Sequence, residues 1–82
     1  MDIYVGNLTF GANEADIQAA FAVYGQVSEV RLVKDRYSGR SRGFAFVAMA
    51  NRPEAEAAIL GMNGKPFQGQ PLTVNEARPR ET

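Results

Sequence analysis

The sequence predicts an α+β fold in which four antiparallel strands form one sheet and two helices cover one of its faces. Three observations carry this reading. Strand-like and helix-like segments follow one another in the order βαββαβ. The strands sort their side chains into an aliphatic face and a face of aromatic and charged residues. Finally, 82 residues make one small domain, with helix enough for a single face. The composition, 45% hydrophobic and 22% charged, is that of an ordinary globular domain rather than a disordered segment.

Ile3-Tyr4-Val5 is β-branched and aromatic and is broken by Gly6-Asn7, which gives a first strand at about residues 2–7. Asn13 is a good N-cap, with Asp16 placed as in a capping box, and Ile17, Ala20, Phe21 and Tyr24 recur at helical spacing until Gly25. Val27 to Lys34 is strand-like, and Ser38-Gly39 supplies turn chemistry in the polar loop that follows. A third strand spans about 42–49. Asn51 with Glu54 repeats the capping pattern, Pro53 suits a first helical turn, and Ala55, Ala58, Ile59 and Met62 form a second stripe ending at Asn63-Gly64. Leu72 to Asn75 makes the last strand. With both helices as crossovers this is the ferredoxin-like arrangement, a βαββαβ sandwich. The domain is expected over residues 1–77, with a short polar tail at 78–82.

Composition narrows the function. The chain has neither Cys nor His, which removes disulfides, thiolate and imidazole metal sites, and Ser-His or Cys-His nucleophile pairs. The remaining carboxylates are scattered over the helices, so we expect no catalytic residues, no metal, no cofactor and no enzyme activity. No apolar run approaches the roughly 20 residues of a membrane span, and the acidic Met1-Asp2 opening is unlike a signal peptide. The expectation is a cytoplasmic monomer without a membrane partner. Nine Lys and Arg balance nine Asp and Glu, yet distribution matters more than the sum. Arg31, Lys34, Arg36, Arg40 and Arg42 lie within twelve residues against a single Asp35, and Arg78 and Arg80 follow near the end. The acids concentrate on the helices at Glu14, Asp16, Glu54 and Glu56.

Side chains alternate faces along a strand. One parity collects Ile3, Val5, Val30, Leu32, Ala45, Val47, Met49, Leu72 and Val74; the other collects Tyr4, Arg31, Val33, Arg42, Phe44, Phe46, Thr73 and Asn75. A four-stranded sheet is about 19 Å wide, and two helices of about 10 Å cover that width once. The uncharged aliphatic parity must take the helices. Tyr4, Phe44 and Phe46 are then left on an open sheet, where an aromatic patch calls for a partner. Flat rings flanked by guanidinium groups suit unpaired nucleic-acid bases, the ring stacking on a base and the cation meeting phosphate.

These residues carry a resemblance. Arg42-Gly43-Phe44-Ala45-Phe46-Val47-Ala48-Met49 is similar to the ribonucleoprotein octamer of the RNA recognition motif family at seven of eight positions, departing at Met49. Ile3-Tyr4-Val5-Gly6-Asn7-Leu8 looks like its companion hexamer, and the chain resembles the family's small single-domain bacterial type. The resemblance implies that Tyr4 and Phe46 each stack under a base, Phe44 inserts against the sugars and Arg42 holds a phosphate. It further implies that Arg31, Val33, Thr73 and Asn75 frame the site and read base identity. Gly43 and Ala45 are expected to spare bulk where neighbouring elements approach. Arg36, Arg40 and Arg78 are candidate phosphate contacts, with a plain solvated loop or tail as the alternative reading. Tyr37 is read as a solvated loop residue, and Phe10, Phe21, Tyr24 and Phe67 as packing residues. The implied function is binding of single-stranded RNA, with single-stranded DNA left open beside it. The footprint is about two to four nucleotides, with modest affinity and loose sequence preference. A protein-interaction module is the alternative, and the intact aromatic set argues against it.

Overall fold

The computed structural model of the chain describes residues 1–9, 11–34, 37–39 and 41–77 and, at residues 41 and 42, the backbone alone. The described elements are β1 (Asp2–Gly6), α1 (Glu14–Ala22), β2 (Glu29–Lys34), β3 (Ser41–Ala48), α2 (Arg52–Met62), β4 (Pro66–Phe67), β5 (Gln70–Pro71) and β6 (Thr73–Ala77). The main sheet has the order β2-β3-β1-β6, with every neighbouring pair antiparallel. Among the described residues, no helix is long and apolar enough to cross a membrane.

The aliphatic parity is the core. Ile3, Val5, Ala45, Val47, Met49 and Val74 are fully buried and pack with Ile17 and Phe21 of α1 and with Ala55, Ala58 and Met62 of α2. Each large aliphatic or aromatic side chain so buried contributes about 1.5–3 kcal/mol. Met49, the departure from the octamer, points inward with no exposed surface, so it belongs to packing. Val30 and Leu32 lie partly buried against the same cluster.

Both helices start where their caps dictate. Asn13 Oδ1 accepts from the Asp16 N–H at 2.8 Å, and Asn51 Oδ1 from the Glu54 N–H at 3.0 Å. The acids of the two capping patterns reach other segments. Glu54 accepts from the Gln26 N–H at 3.2 Å, tying α2 to the turn before β2, and Asp16 accepts from Gln68 Nε2 at 2.9 Å. The α1 stripe is shorter than its periodicity suggests: the helix closes at Ala22, and Tyr24 packs on the core from the following turn.

The last strand runs on to Ala77, because Glu76 and Ala77 pair with Ile3 and Asp2. Its outer edge is tied at its start to residues 63–65. Asn63 Oδ1 accepts from the Val74 N–H at 3.0 Å, and the Gly64 and Lys65 backbones bond Leu72 at 2.7 and 3.1 Å. Between α2 and β6 the sequence reading holds no element, yet β4 and β5 form a minimal hairpin. Gln68 and Gly69 both adopt positive φ, 50° and 89°, as the favoured two-residue hairpin turn requires. The hairpin is fastened to the end of β1 by Asn7 Nδ2, which donates to the Pro71 carbonyl at 2.6 Å.

Candidate nucleic-acid interface

The face of the sheet opposite the core carries the aromatic residues, and strand register arranges them in rows. Arg31, Phe46, Tyr4 and Asn75 stand opposite one another across β2, β3, β1 and β6. One step along the strands, Phe44, Gly6 and Thr73 form a second row. One step the other way lie Glu29, Ala48, Asp2 and Ala77. Tyr4, Phe44 and Phe46 are half-buried, whereas Arg31, Thr73 and Asn75 are exposed.

The three rings form a triangle. Every pair of ring centroids is 6.0 Å apart, with interplanar angles of 30° for Tyr4–Phe44, 61° for Tyr4–Phe46 and 83° for Phe44–Phe46. These are the tilted and edge-to-face arrangements that aromatic quadrupoles favour. They hold the rings to one another while leaving part of each open to solvent. Phe44 and Phe46 come from the same strand, two residues apart, so the pleat alone brings them to this face.

Ahead of Phe44 the pairing of β3 with β2 shifts register between Leu32 and Lys34. Gly43 sits at this irregularity with φ of 87°, a conformation that residues other than glycine adopt only at a cost. This corrects one expectation. A Cβ at Gly43 would meet nothing nearer than the Leu8 carbonyl oxygen at 3.7 Å, so backbone conformation and not crowding calls for glycine here. Ala45, by contrast, is fully buried, in keeping with a close approach. Val33 lies half-buried on the β2 side of the shift.

Arg31 is 3.6 Å from Glu29, with both side chains largely in solvent, a pair too exposed to hold the guanidinium firmly. Beside it, Asp2, Glu29, Arg31, Phe46, Ala48 and Ala77 line a shallow depression at one end of the face. Two carboxylates thus border the rings. The helix-weighted view of the acids missed them, although strand parity places Asp2 with Tyr4 and Glu29 with Arg31. Tyr37 is exposed in the turn between β2 and β3, as expected, and Phe21, Tyr24 and Phe67 pack on the core. Arg36, Arg40, Arg78, Arg80 and Phe10 lie outside the described residues, as does the side chain of Arg42.

Comparison with known proteins agrees with this architecture. The family model for the RNA recognition motif matches residues 3–73. "Putative RNA-binding protein RbpD" of Nostoc sp. is 52% identical over 81 residues, spanning 99% of this chain and 86% of its own length. "Putative RNA-binding protein RbpA" of Synechocystis sp. is 49% identical over 81 residues, 99% of this chain and 80% of its own. Among solved structures, RNA Binding Protein PG1 superposes with a TM-score of 0.93 at 43% identity, covering 100% of this chain and 99% of that one. The Sxl-lethal protein/RNA complex superposes with a TM-score of 0.88 at 35% identity, over 93% of this chain and 47% of that one. The match to the family model over residues 3–73, joined to relatives of about half-identical sequence and to the fold built above, establishes that the chain belongs to the RNA recognition motif family.

Proposed function

We propose that the chain binds single-stranded RNA on the open face of its sheet, through bases stacked on Tyr4 and Phe46. The observation that carries this is the half-exposed triangle of rings, 6.0 Å on each side, on the face turned away from both helices. Each stack contributes about 1–3 kcal/mol. Because the Tyr4 and Phe46 planes meet at 61°, bases lying on them are splayed rather than stacked on each other. An unpaired strand can splay its bases; a duplex hides them. Phe44, edge-on to Phe46, fits a place against the sugars between the two bases.

The charged groups then orient the strand. Asp2 and Glu29 at one end of the face repel phosphate and accept N–H groups, so base edges are favoured there and the sugar-phosphate path runs elsewhere. Arg42, with Arg36, Arg40 and Arg78 as candidates, supplies the phosphate contacts, and Arg31, Val33, Thr73 and Asn75 frame the bases from the outer strands. The footprint is about two to four nucleotides, bound modestly and with loose sequence preference. On this reading the protein is a non-enzymatic, cytoplasmic, monomeric binding module of residues 1–77 with a polar tail at 78–82, needing no cofactor or metal. Relatives named as RNA-binding proteins and a structural neighbour in complex with RNA support the choice of RNA.

The test is selection from a random single-stranded RNA pool, run beside the matching single-stranded DNA pool and a blunt RNA duplex. Enrichment of single-stranded RNA with no retention of duplex is expected. Retention of duplex as strong as that of single strands would refute the stacking mechanism.

A further inference from the structure

Resting on the reading above, we propose that Gly6 is the positioning residue for the Tyr4 ring, and that its missing side chain sets the geometry of the stacking platform. Directly opposed side chains in an antiparallel pair lie about 4.5–5.5 Å apart, and diagonal ones about 7–8 Å. Tyr4 is opposite Phe46, and Phe44 is opposite Gly6, so an upright Tyr4 ring would sit close to Phe46 and far from Phe44. Instead its centroid is 6.0 Å from both. The ring leans along its own strand toward the Gly6 row, and the space it leans into is the one a side chain at Gly6 would occupy. A Cβ built there would come within 2.6 Å of Tyr4 Oη and 2.9 Å of both Cε1 and Cζ, a collision with the outer half of a rigid ring. The ring in turn accounts for the burial of Gly6 on a face that neither helix covers.

Gly6 differs from the other glycine of the platform. Its φ is not among the positive ones, so alanine fits its backbone, and the atoms nearest a Cβ there all belong to the Tyr4 ring. With any side chain at Gly6 the ring must pivot up, toward Phe46 and away from Phe44. The 30° tilt between Tyr4 and Phe44 is then lost, together with the surface offered to one base. A base on the leaning ring lies over the Gly6 row, which places Thr73 of β6, the partner of Gly6, beside its edge.

The experiment compares wild type, Gly6→Ala, Tyr4→Ala and the double variant. It measures thermal melting, ring-to-ring nuclear Overhauser contacts in the free protein, and binding of an unstructured mixed-sequence 12-nucleotide RNA (a probe length of ~12, spanning several times the footprint). Gly6→Ala should melt within a few degrees of wild type, lose the Tyr4–Phe44 ring contacts and bind about 5- to 150-fold more weakly, one stack's worth. In the Tyr4→Ala background it should change affinity less than about 2-fold, as expected for sites acting as a unit. Retention of the Tyr4–Phe44 contacts in Gly6→Ala would overturn the proposal. So would an equal loss of affinity with and without the Tyr4 ring, or an unfolded Gly6→Ala chain. If wild type fails to bind the RNA, the RNA reading falls, and the ring contacts of the free proteins still decide the role of Gly6.

Discussion

Replacing Tyr4, Phe44 and Phe46 together by alanine separates a binding surface from a core. The rings lie half-buried against one another, so their removal has a structural cost, of which the ring pairs set the least, before the area they bury is counted. Three ring pairs at 6.0 Å are worth about 0.5–1.5 kcal/mol each, or roughly 1.5–4.5 kcal/mol for the set. Were the same residues core, each truncation would cost about 3–5 kcal/mol, and the three together, about 9–15 kcal/mol, would remove most or all of the 5–15 kcal/mol that typically holds a small domain together. The triple variant should therefore melt lower than wild type yet remain folded at 25 °C by circular dichroism. Its affinity for single-stranded RNA, read by fluorescence anisotropy, should fall about 30-fold to 10⁴-fold through the loss of two stacks. Ile3→Ala and Val47→Ala are the internal controls: they neighbour Tyr4 and Phe46 in sequence but point to the other face with no exposed surface. Ile3→Ala should cost about 2–5 kcal/mol of stability and, at a temperature where it is folded, leave the affinity near wild type. A triple variant unfolded at 25 °C, or a folded one that binds RNA normally, would refute the division of the sheet into two faces with two jobs.

Gly43→Ala should lose about 1–2 kcal/mol, since alanine must adopt the φ of 87° found there, and a denaturant midpoint equal to wild type would show that the irregularity of β3 relaxes freely. Asn63→Ala deprives the buried Val74 N–H of its acceptor and should cost about 1–3 kcal/mol in urea unfolding with no change in RNA affinity once folded; a loss under about 0.3 kcal/mol would mean that water takes the place of the side chain. With two to four phosphates engaged, the log–log salt dependence of binding should have a slope of about −1.4 to −2.8, and Arg42→Ala should make it shallower by less than one unit. A slope steeper than about −6 would require a basic surface larger than the one assigned.

What could be read from the sequence depended on how local its cause was. In Ile3-Tyr4-Val5 and Phe44-Ala45-Phe46-Val47 the alternation of faces is dictated by the pleat, so both the core set and the aromatic set were legible without coordinates. The caps at Asn13 and Asn51 were equally legible, because an N-cap bonds only to its own first turn. Where the side chains of Asp16 and Glu54 went was not, since their partners Gln68 and Gln26 are brought near only by tertiary structure. The hairpin of β4 and β5 has two residues per strand and a proline in each, too little for any periodicity to register. Gly43 was visible as a glycine, but its reason was not: positive φ and close packing leave the same letter in a sequence, and only the backbone tells them apart. The lean of Tyr4 over Gly6 escaped for a related cause. Parity gives the face a side chain occupies and says nothing of its direction along the strand, although a glycine inside a strand is itself a sign of close approach.

On the proposed reading, the zero net charge of the chain makes that direction matter. A strongly basic protein draws much of its affinity for nucleic acid from counterion release, which tolerates loose geometry. Here the charges of the open face nearly cancel, with Asp2 and Glu29 set against Arg31 at one end, and short-range contacts must carry more of the binding. Two stacks supply about 2–6 kcal/mol, whereas micromolar affinity needs about 8 kcal/mol, so the few phosphate and base-edge contacts must contribute the remainder. Losing one stack then removes a large share of the total, and a ring tilted out of place is nearly equivalent to a ring deleted. It follows that the residue most sensitive to substitution on this face, after the rings themselves, should be one that has no side chain and can form no side-chain contact with the ligand. Gly6 meets that description, and the comparison of Gly6→Ala with Arg31→Ala gives the ranking a direct measure. Arg31, exposed and loosely paired, should cost less than about 5-fold in affinity on removal, as a weak surface charge does. Gly6→Ala should cost more, and the reverse order would mean that charge rather than ring geometry sets the affinity.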